Sequence, residues 1–264
     1  MNADIHPTAI VDRGADIGEG ARIGPFAIVE GDTRIGPGCR VGARATIGAG
    51  TRMGRDNVVF PGAFVGGDSQ DLKYRGGKTY LEIGDRNIIR EATTLNRASG
   101  EGEATRIGND NLIMAYAHVA HNCVVGDRVR IENGVALAGC VVVEDYAIVG
   151  GLSAAHQFCR LGRHCIVGGK TKITRDVPPF LKVDGNPARP YGLNALGLRR
   201  RGFSEETIAT LKRVYRILYR SGLLLREALD RLRTEFPDSP ETATMVAFIE
   251  ATRRGVVRPR GRRR

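Results

Sequence analysis

Three histidines and one cysteine fall where a packed interior has no use for them. Counting in sixes from Ile107 gives Ile113, Val119, Val125, Ile131, Leu137, Val143, Val149, Ala155, Leu161, Val167 and Ile173. A second register, four residues on, holds small or branched side chains such as Ala117, Cys123, Val129 and Ala147. His118, His121, Cys140 and His156 occupy neither register. In a stacked repeat of this kind, residues eighteen apart lie one above another at about 4.8 Å. His121, Gly139, Gln157 and Arg175 therefore share a column, with Cys140 beside Gly139 and His156 beside Gln157. An exposed neutral imidazole suits general-base work. The backbone N–H of Gly139, one turn away, can face a developing oxyanion, because glycine permits close approach. The chemistry this suggests is direct acyl transfer: a base deprotonates an alcohol or amine, which attacks a thioester. A solvated turn histidine is the competing reading for each ring taken singly, and three rings near one edge weaken it. There is no GxSxG, P-loop or βαβ-embedded GxGxxG, so serine-nucleophile, NTPase and dinucleotide readings lack support.

The elements that must hold such a column follow from the period. The count in sixes also runs from Ile5 through Val11, Ile17, Ile23, Val29, Ile35, Val41, Ile47, Met53, Val59 and Val65, then resumes at Ile83, Ile89 and Leu95. Six-residue repeats indicate a parallel β-helix: a short strand and a turn make one face of a prism, and three faces make a coil. Glycine often follows the aliphatic directly, as at Gly18, Gly36, Gly108 and Gly126, which suggests the left-handed backbone of a sharp corner. Two polar, Gly-rich gaps break the count and predict loops leaving the wall near 67–80 and 97–105. Long loops on a rigid scaffold are usually functional or disordered. Gln70, Asp71 and Lys73 give the first loop donors and acceptors, while the second reads equally as a bulge. The strand pattern ends at the prolines of DVPPF, after which Ile208, Leu211, Val214, Tyr215, Leu218 and Tyr219 follow a helical spacing. A second helix is expected around Leu225–Leu232. A third is expected to start at the cap Ser239, with Pro240 in its first turn, and to stop near Gly255. These boundaries predict a β-helix over 1–186, an α-helical unit over 187–257 packed against its end, and a basic disordered tail over 258–264.

A formal charge of +11 points to acidic partners such as phosphates or an acidic carrier protein, with part of the excess in the tail RRGVVRPRGRRR. No secretory leader or membrane-length apolar run is apparent, which predicts a cytoplasmic protein without an integral membrane segment. Cys39, Cys123, Cys159 and Cys165 fall on the small inward register and read as buried reduced thiols. No CxxC pair occurs, so no metal or other cofactor is expected, although His118 and His121 leave a metal reading open. With 6% aromatics and no Trp, a nucleic-acid stacking platform is lacking.

The segments SQDLKYRG, IGDRN, NLIMAYAHVAHNC, AAHQFC, DVPP and GLRRRGFS, in that order, resemble the UDP-N-acetylglucosamine O-acyltransferases that open lipid A synthesis. The resemblance runs nearly from Ile5 to Gly222. The hexad alone is shared by many acyltransferases and some carbonic anhydrases, whereas QDLKY followed by HxxH and HQF is specific. It implies a left-handed coil and transfer of a (3R)-3-hydroxyacyl chain from acyl carrier protein to the 3-position of the UDP-sugar. It also implies a homotrimer with sites between neighbouring prisms. By matching position it makes His121 the general base and Gly139 the oxyanion donor. Asp71 and His118 would hold the sugar, and Gln70, Lys73, His156 and Gln157 would line the cleft. Asn194, Arg200 and Arg201 would meet the uridine and phosphates. Gly169 matches the acyl-length ruler, and its bareness suggests room for a longer chain of about fourteen carbons. Two departures stand out. Asn122 occupies a position where the family often has Asp, so carboxylate support for the base is absent there. Cys140 replaces a ring beside the acceptor, which raises the 3-amino analogue of the sugar, and an amide product, as an alternative. Other hexapeptide acyltransferases, including the sister N-acyltransferase with its extra uridine-binding domain, a zinc carbonic anhydrase and a structural protein remain weaker readings.

Overall fold

The computed structural model describes residues 2–259, so the expected tail lies outside the described residues beyond Pro259. The chain winds as a left-handed parallel β-helix whose three faces carry eleven, nine and eight strands. Most strands are two residues long, such as Leu112–Ile113 on the first face, His118–Val119 on the second and Val124–Val125 on the third. Pairing is in phase: Ile113 lies beside Ile131, Val119 beside Leu137 and Val125 beside Val143. The aliphatics of the repeat therefore stack into one continuous core, in which Ile113, Val119, Ile131 and Leu137 are fully buried. Each such side chain contributes about 1.5–3 kcal/mol on burial. The lowest coil has nothing beneath it, and Ile5 stays 42% exposed.

The corners differ from the sequence expectation in one respect. Apart from Gly66 (φ 89°), where the first loop leaves, the glycines that directly follow the aliphatic do not supply the left-handed backbone. They are required because successive coils touch there: a Cβ on Gly126 would lie 2.3 Å from Asp145 Oδ1, and one on Gly108 would lie 2.7 Å from the Gly126 oxygen. The left-handed residue sits two places further along and usually carries a side chain. Tyr116 (φ 60°), Asn122 (φ 58°) and Arg128 (φ 55°) mark the first, second and third corners of one coil. Such a conformation costs a non-glycine residue about 1–2 kcal/mol. It is offset by a hydrogen bond from each corner N–H to the coil below, for instance Arg128 N to Asn109 O at 2.8 Å and Cys140 N to His121 O at 3.0 Å. At the third corner the small inward register also holds Asn57, Asn87 and Asn111, a buried ladder the hydrophobic count does not reveal. Asn87 N and Asn111 N donate to the side-chain oxygen of the asparagine below, at 2.9 and 3.0 Å.

The β portion runs past 186. Pro178 and Pro179 occupy a turn rather than a terminus: Leu181–Asp184 rejoins the first face, and Arg189–Leu193 folds back antiparallel on it. The helices are α1 (Ala195–Arg200), α2 (Glu205–Arg220), α3 (Leu225–Glu235) and α4 (Pro240–Glu250). The helical spacing did not reveal α1, which is too short to show a period. Ser204 and Ser239 cap α2 and α4 through their hydroxyls, the second as the sequence predicts, but α4 ends at Glu250, short of Gly255. The helical unit is tied to the end of the coil at buried Asp176, which accepts from Arg160 N at 2.8 Å and from the Thr252 hydroxyl at 2.5 Å. Among the described residues, no helix is long and apolar enough to cross a membrane.

Candidate active site

Every departure from the plain coil that bears on the histidine column occurs at the second corner. The first loop leaves after the strand Phe64–Gly67 and returns at Tyr80–Ile83; the second runs from Thr94–Asn96 to Ala104–Ile107. Both thus span from second face to third, directly below the turn that holds His121. They are fastened to each other. Lys78 N donates to Glu101 Oε2 at 2.8 Å, the Ser69 and Ser99 hydroxyls lie 2.5 Å apart, and Arg97 pairs with Asp68. This bracing lets the first loop, which starts two coils below, reach up to the base. Asp71 Oδ2 stands 3.7 Å from His121 Nε2. Asp71 is held in turn by Ser69 Oγ, which accepts from its N–H, and by Lys73 N, which donates to its Oδ1 at 2.9 Å.

The tip of the His121 ring packs against Gly139 of the next coil. A Cβ on Gly139 would lie 2.3 Å from His121 Nε2 and 2.5 Å from Cε1, so only glycine leaves the ring its place. Among the described residues, the Gly139 N–H donates to no protein acceptor, while its carbonyl accepts from Phe158 N at 3.2 Å. His121 Nδ1 meets Asn122 Oδ1 at 2.9 Å. The ring is therefore fixed at Nδ1, and its Nε2 faces Asp71 and the Cα of Gly139. The His121 side chain remains 16% exposed.

His118 lies on the second face, with Nδ1 2.7 Å from the Thr94 hydroxyl one coil below. Burial pushes its pKa down, so it is a neutral hydrogen-bonding ring and not a cation. Cys140 is half-buried, and burial followed by the nearby Glu103 and Asp71 carboxylates raises its thiol pKa. It is held as a neutral S–H, unsuited to act as an acyl-accepting thiolate. His156 and Gln157 continue the corner upward, exposed, with His156 Nδ1 donating to the Gln157 carbonyl at 3.2 Å. Gln70 and Lys73 are exposed on the first loop. Cys39, Cys123, Cys159 and Cys165 are all buried, as the inward register requires.

The remaining candidates are not at this corner. Gly169 turns the chain from first face to second, where a Cβ would come within 3.2 Å of the Gly151 oxygen. Asn194 caps α1 through Oδ1 and donates from Nδ2 to the His164 oxygen at 3.0 Å, so its amide is already engaged at the third corner. The Arg201 guanidinium lies over the Tyr146 ring, 4.3 Å from its centre, at the same corner. One prism thus spreads the expected site over three corners. Sequence reading also passed over Thr94, Ser99 and Glu103, which bond to the histidines or to Asn122. Thr94 could have been found by closing the loop gap in the count, since it pairs directly with His118. Ser99 and Glu103 could not, because they lie off the repeat.

The model for domain 2 of the UDP-N-acetylglucosamine O-acyltransferases matches residues 176–257. The bacterial transferase hexapeptide model matches residues 14–49 and 104–139. A Janthinobacterium acyl-acyl-carrier-protein–UDP-N-acetylglucosamine O-acyltransferase is 50% identical, over 96% of this chain and 99% of its own length. The enzyme of that name from Alkalilimnicola ehrlichii is 52% identical over 96% and 99%. The crystal structure of UDP-N-acetylglucosamine O-acyltransferase from Moraxella catarrhalis superposes with a TM-score of 0.93 at 44% identity, covering 96% of this chain and 99% of that one.

Proposed function

The chain belongs to the UDP-N-acetylglucosamine O-acyltransferase family, and from that premise we propose that it moves a (3R)-3-hydroxyacyl chain from acyl carrier protein to the 3-hydroxyl of UDP-N-acetylglucosamine, the opening step of lipid A synthesis. The observation that carries the reading is the fit of the His121 ring against Gly139. The ring meets, one coil up, a residue with no side chain whose N–H has no acceptor among the described residues. In the reaction, Nε2 of His121 takes the proton of the sugar 3-hydroxyl as its oxygen attacks the thioester carbonyl carbon. The negative charge on the carbonyl oxygen is met by the Gly139 N–H. Collapse breaks the carbon–sulfur bond, and the departing pantetheine thiolate takes the proton back from the imidazolium. Asp71 accepts hydrogen bonds from the sugar and favours the transient positive charge on His121, 3.7 Å away. Neutral His118 holds the sugar without competing for the proton. The neutral Cys140 thiol supports direct transfer over an acyl-cysteine intermediate. Gln70, Lys73, His156 and Gln157 line the cleft.

A homotrimer is part of this reading. Gly169 as acyl ruler, and Asn194 and Arg201 as uridine and phosphate contacts, sit at corners away from His121 in their own prism, and Arg200, also a uridine or phosphate contact, is exposed at the end of α1. Neighbouring copies would bring unlike corners together in a shared cleft. A net charge of +11 suits the acidic carrier protein, and the cytoplasm suits five cysteines that are all free. The amide-forming alternative drawn from Cys140 is not favoured, because the relatives are named O-acyltransferases. The test is mass spectrometry of the product formed by the purified protein from a mixture of 3-hydroxyacyl carrier-protein thioesters and both UDP-sugars. The reading expects a 3-O-acyl ester of UDP-N-acetylglucosamine. Recovery of the amide alone, or of no acylated sugar, would overturn it.

A further inference from the structure

The second loop supplies what position 122 lacks. Asn122 has two different ends, and each is assigned by a partner that can play only one part. Its Oδ1 accepts from the backbone N–H of Ser99 at 3.0 Å, and its Nδ2 donates to Glu103 Oε2 at 2.6 Å. A backbone N–H can only donate and a carboxylate can only accept, so the amide has one orientation. The same Oδ1 faces His121 Nδ1 at 2.9 Å and must accept a hydrogen bond from it. The neutral ring is thereby held with hydrogen on Nδ1 and a lone pair on Nε2. That is the tautomer a base needs in order to take the sugar proton at Nε2. Asn122 itself is pinned at its left-handed corner by its N–H, which donates to the Thr105 hydroxyl at 2.8 Å. Glu103 is pinned by Gly100, whose N–H donates to Oε2 at 3.2 Å. A Cβ on Gly100 would lie 2.5 Å from that oxygen, so the carboxylate in this position lies tight against a bare Cα.

We propose that Glu103 is a positioning residue for the transfer reaction: through Asn122 it fixes the tautomer of His121, a role that rests on reading His121 as the base. The carboxylate touches neither substrate nor the reacting atoms. It acts one residue out, and the loop 97–105 is part of the catalytic apparatus rather than a bulge. Outer partners of this kind are generally worth about 10–100-fold.

The test uses full-length protein labelled with 15N-histidine, in which long-range 15N–1H correlations report which ring nitrogen of His121 carries hydrogen. Wild type is expected to show the Nδ1–H form. Glu103→Ala should give a mixture of tautomers and a kcat about tenfold lower, with KM for UDP-N-acetylglucosamine within about twofold. Glu103→Gln should stay near wild type, because its Oε1 can still accept from Gly100 and Asn122. A second pair keeps the result clear if the alanine loosens the loop. Asn122→Asp alone sets two carboxylates against each other and should lose about tenfold at neutral pH, and adding Glu103→Gln should restore most of that loss. An Nε2–H form in wild type, or unchanged tautomer and kcat in Glu103→Ala, would overturn the proposal. So would an Asn122→Asp enzyme that needs no second change. Full activity in His121→Ala would instead remove the base reading itself, and the tautomer measurement would still report on Glu103 independently.

Discussion

The second and third corners of the prism share one backbone and carry opposite environments. At each, a left-handed residue bonds to the coil below: Cys140 N to His121 O at the second, His164 N to Asp145 O at the third, both at 3.0 Å. At the second corner the first loop brings Asp71 to His121, and the second loop holds Asn122, which follows His121 on the coil itself. At the third, His164 stacks on Tyr146 at 4.7 Å between ring centres, with Phe180 and Phe203 on its other sides and, among the described residues, no partner for Nδ1. Burial, then the charges of Arg201 and Arg163, push the His164 pKa down to about 4. His121 and His164 stand at adjacent places in the repeat, two and three residues after Val119 and Leu161, and only His164 takes the left-handed corner itself. What leaves or covers the corner sets their roles apart.

If that contrast is right, disturbing the second corner should cost activity and disturbing the third should cost stability. Among changes that keep the base, the largest effect is expected from Gly139→Ala, whose methyl would overlap the His121 ring and displace it. We expect kcat to fall by about 100-fold or more with Tm changed by only a few degrees, measured by product formation and thermal unfolding. Gly169→Met, at the first corner, should leave kcat on short acyl chains intact. It should lower kcat/KM on the longest accepted chain by about tenfold, read from competing carrier-protein thioesters. The smallest effect belongs to the third corner. A histidine normally titrates near pH 6.5, and in the folded chain His164 does so at about 4. As pH falls below 6.5 the unfolded chain takes up the proton first, so stability is lost between these values. The loss is about 1–2 kcal/mol once screening at a partly exposed ring is allowed for. His164→Phe should remove that share of the loss in denaturant titrations at pH 7 and pH 4.5.

The architecture was legible because the core repeats: Ile113, Val119 and Val125 announce the three faces, and the eighteen-residue column brought His121 beside Gly139 without a structure. Corner chemistry was less legible. Gly108 and Gly126 looked like left-handed turns and are contact points between coils, since a spacing does not distinguish the two uses of a missing Cβ. Pro178 and Pro179 looked like an end to the strands, yet the first face resumes at Leu181. The bond between Asn122 and Glu103 was beyond reach, because the length of a loop says nothing about where its side chains return. The apparent loss of carboxylate support at 122 is made good nineteen residues earlier in the chain.

The most direct test of the account is single-turnover acyl transfer by purified His121→Ala, with its melting temperature and oligomeric state matched to wild type. The account predicts a rate lower by about 100- to 10,000-fold in a normally folded protein. A folded variant that transfers the chain at the wild-type rate would contradict it.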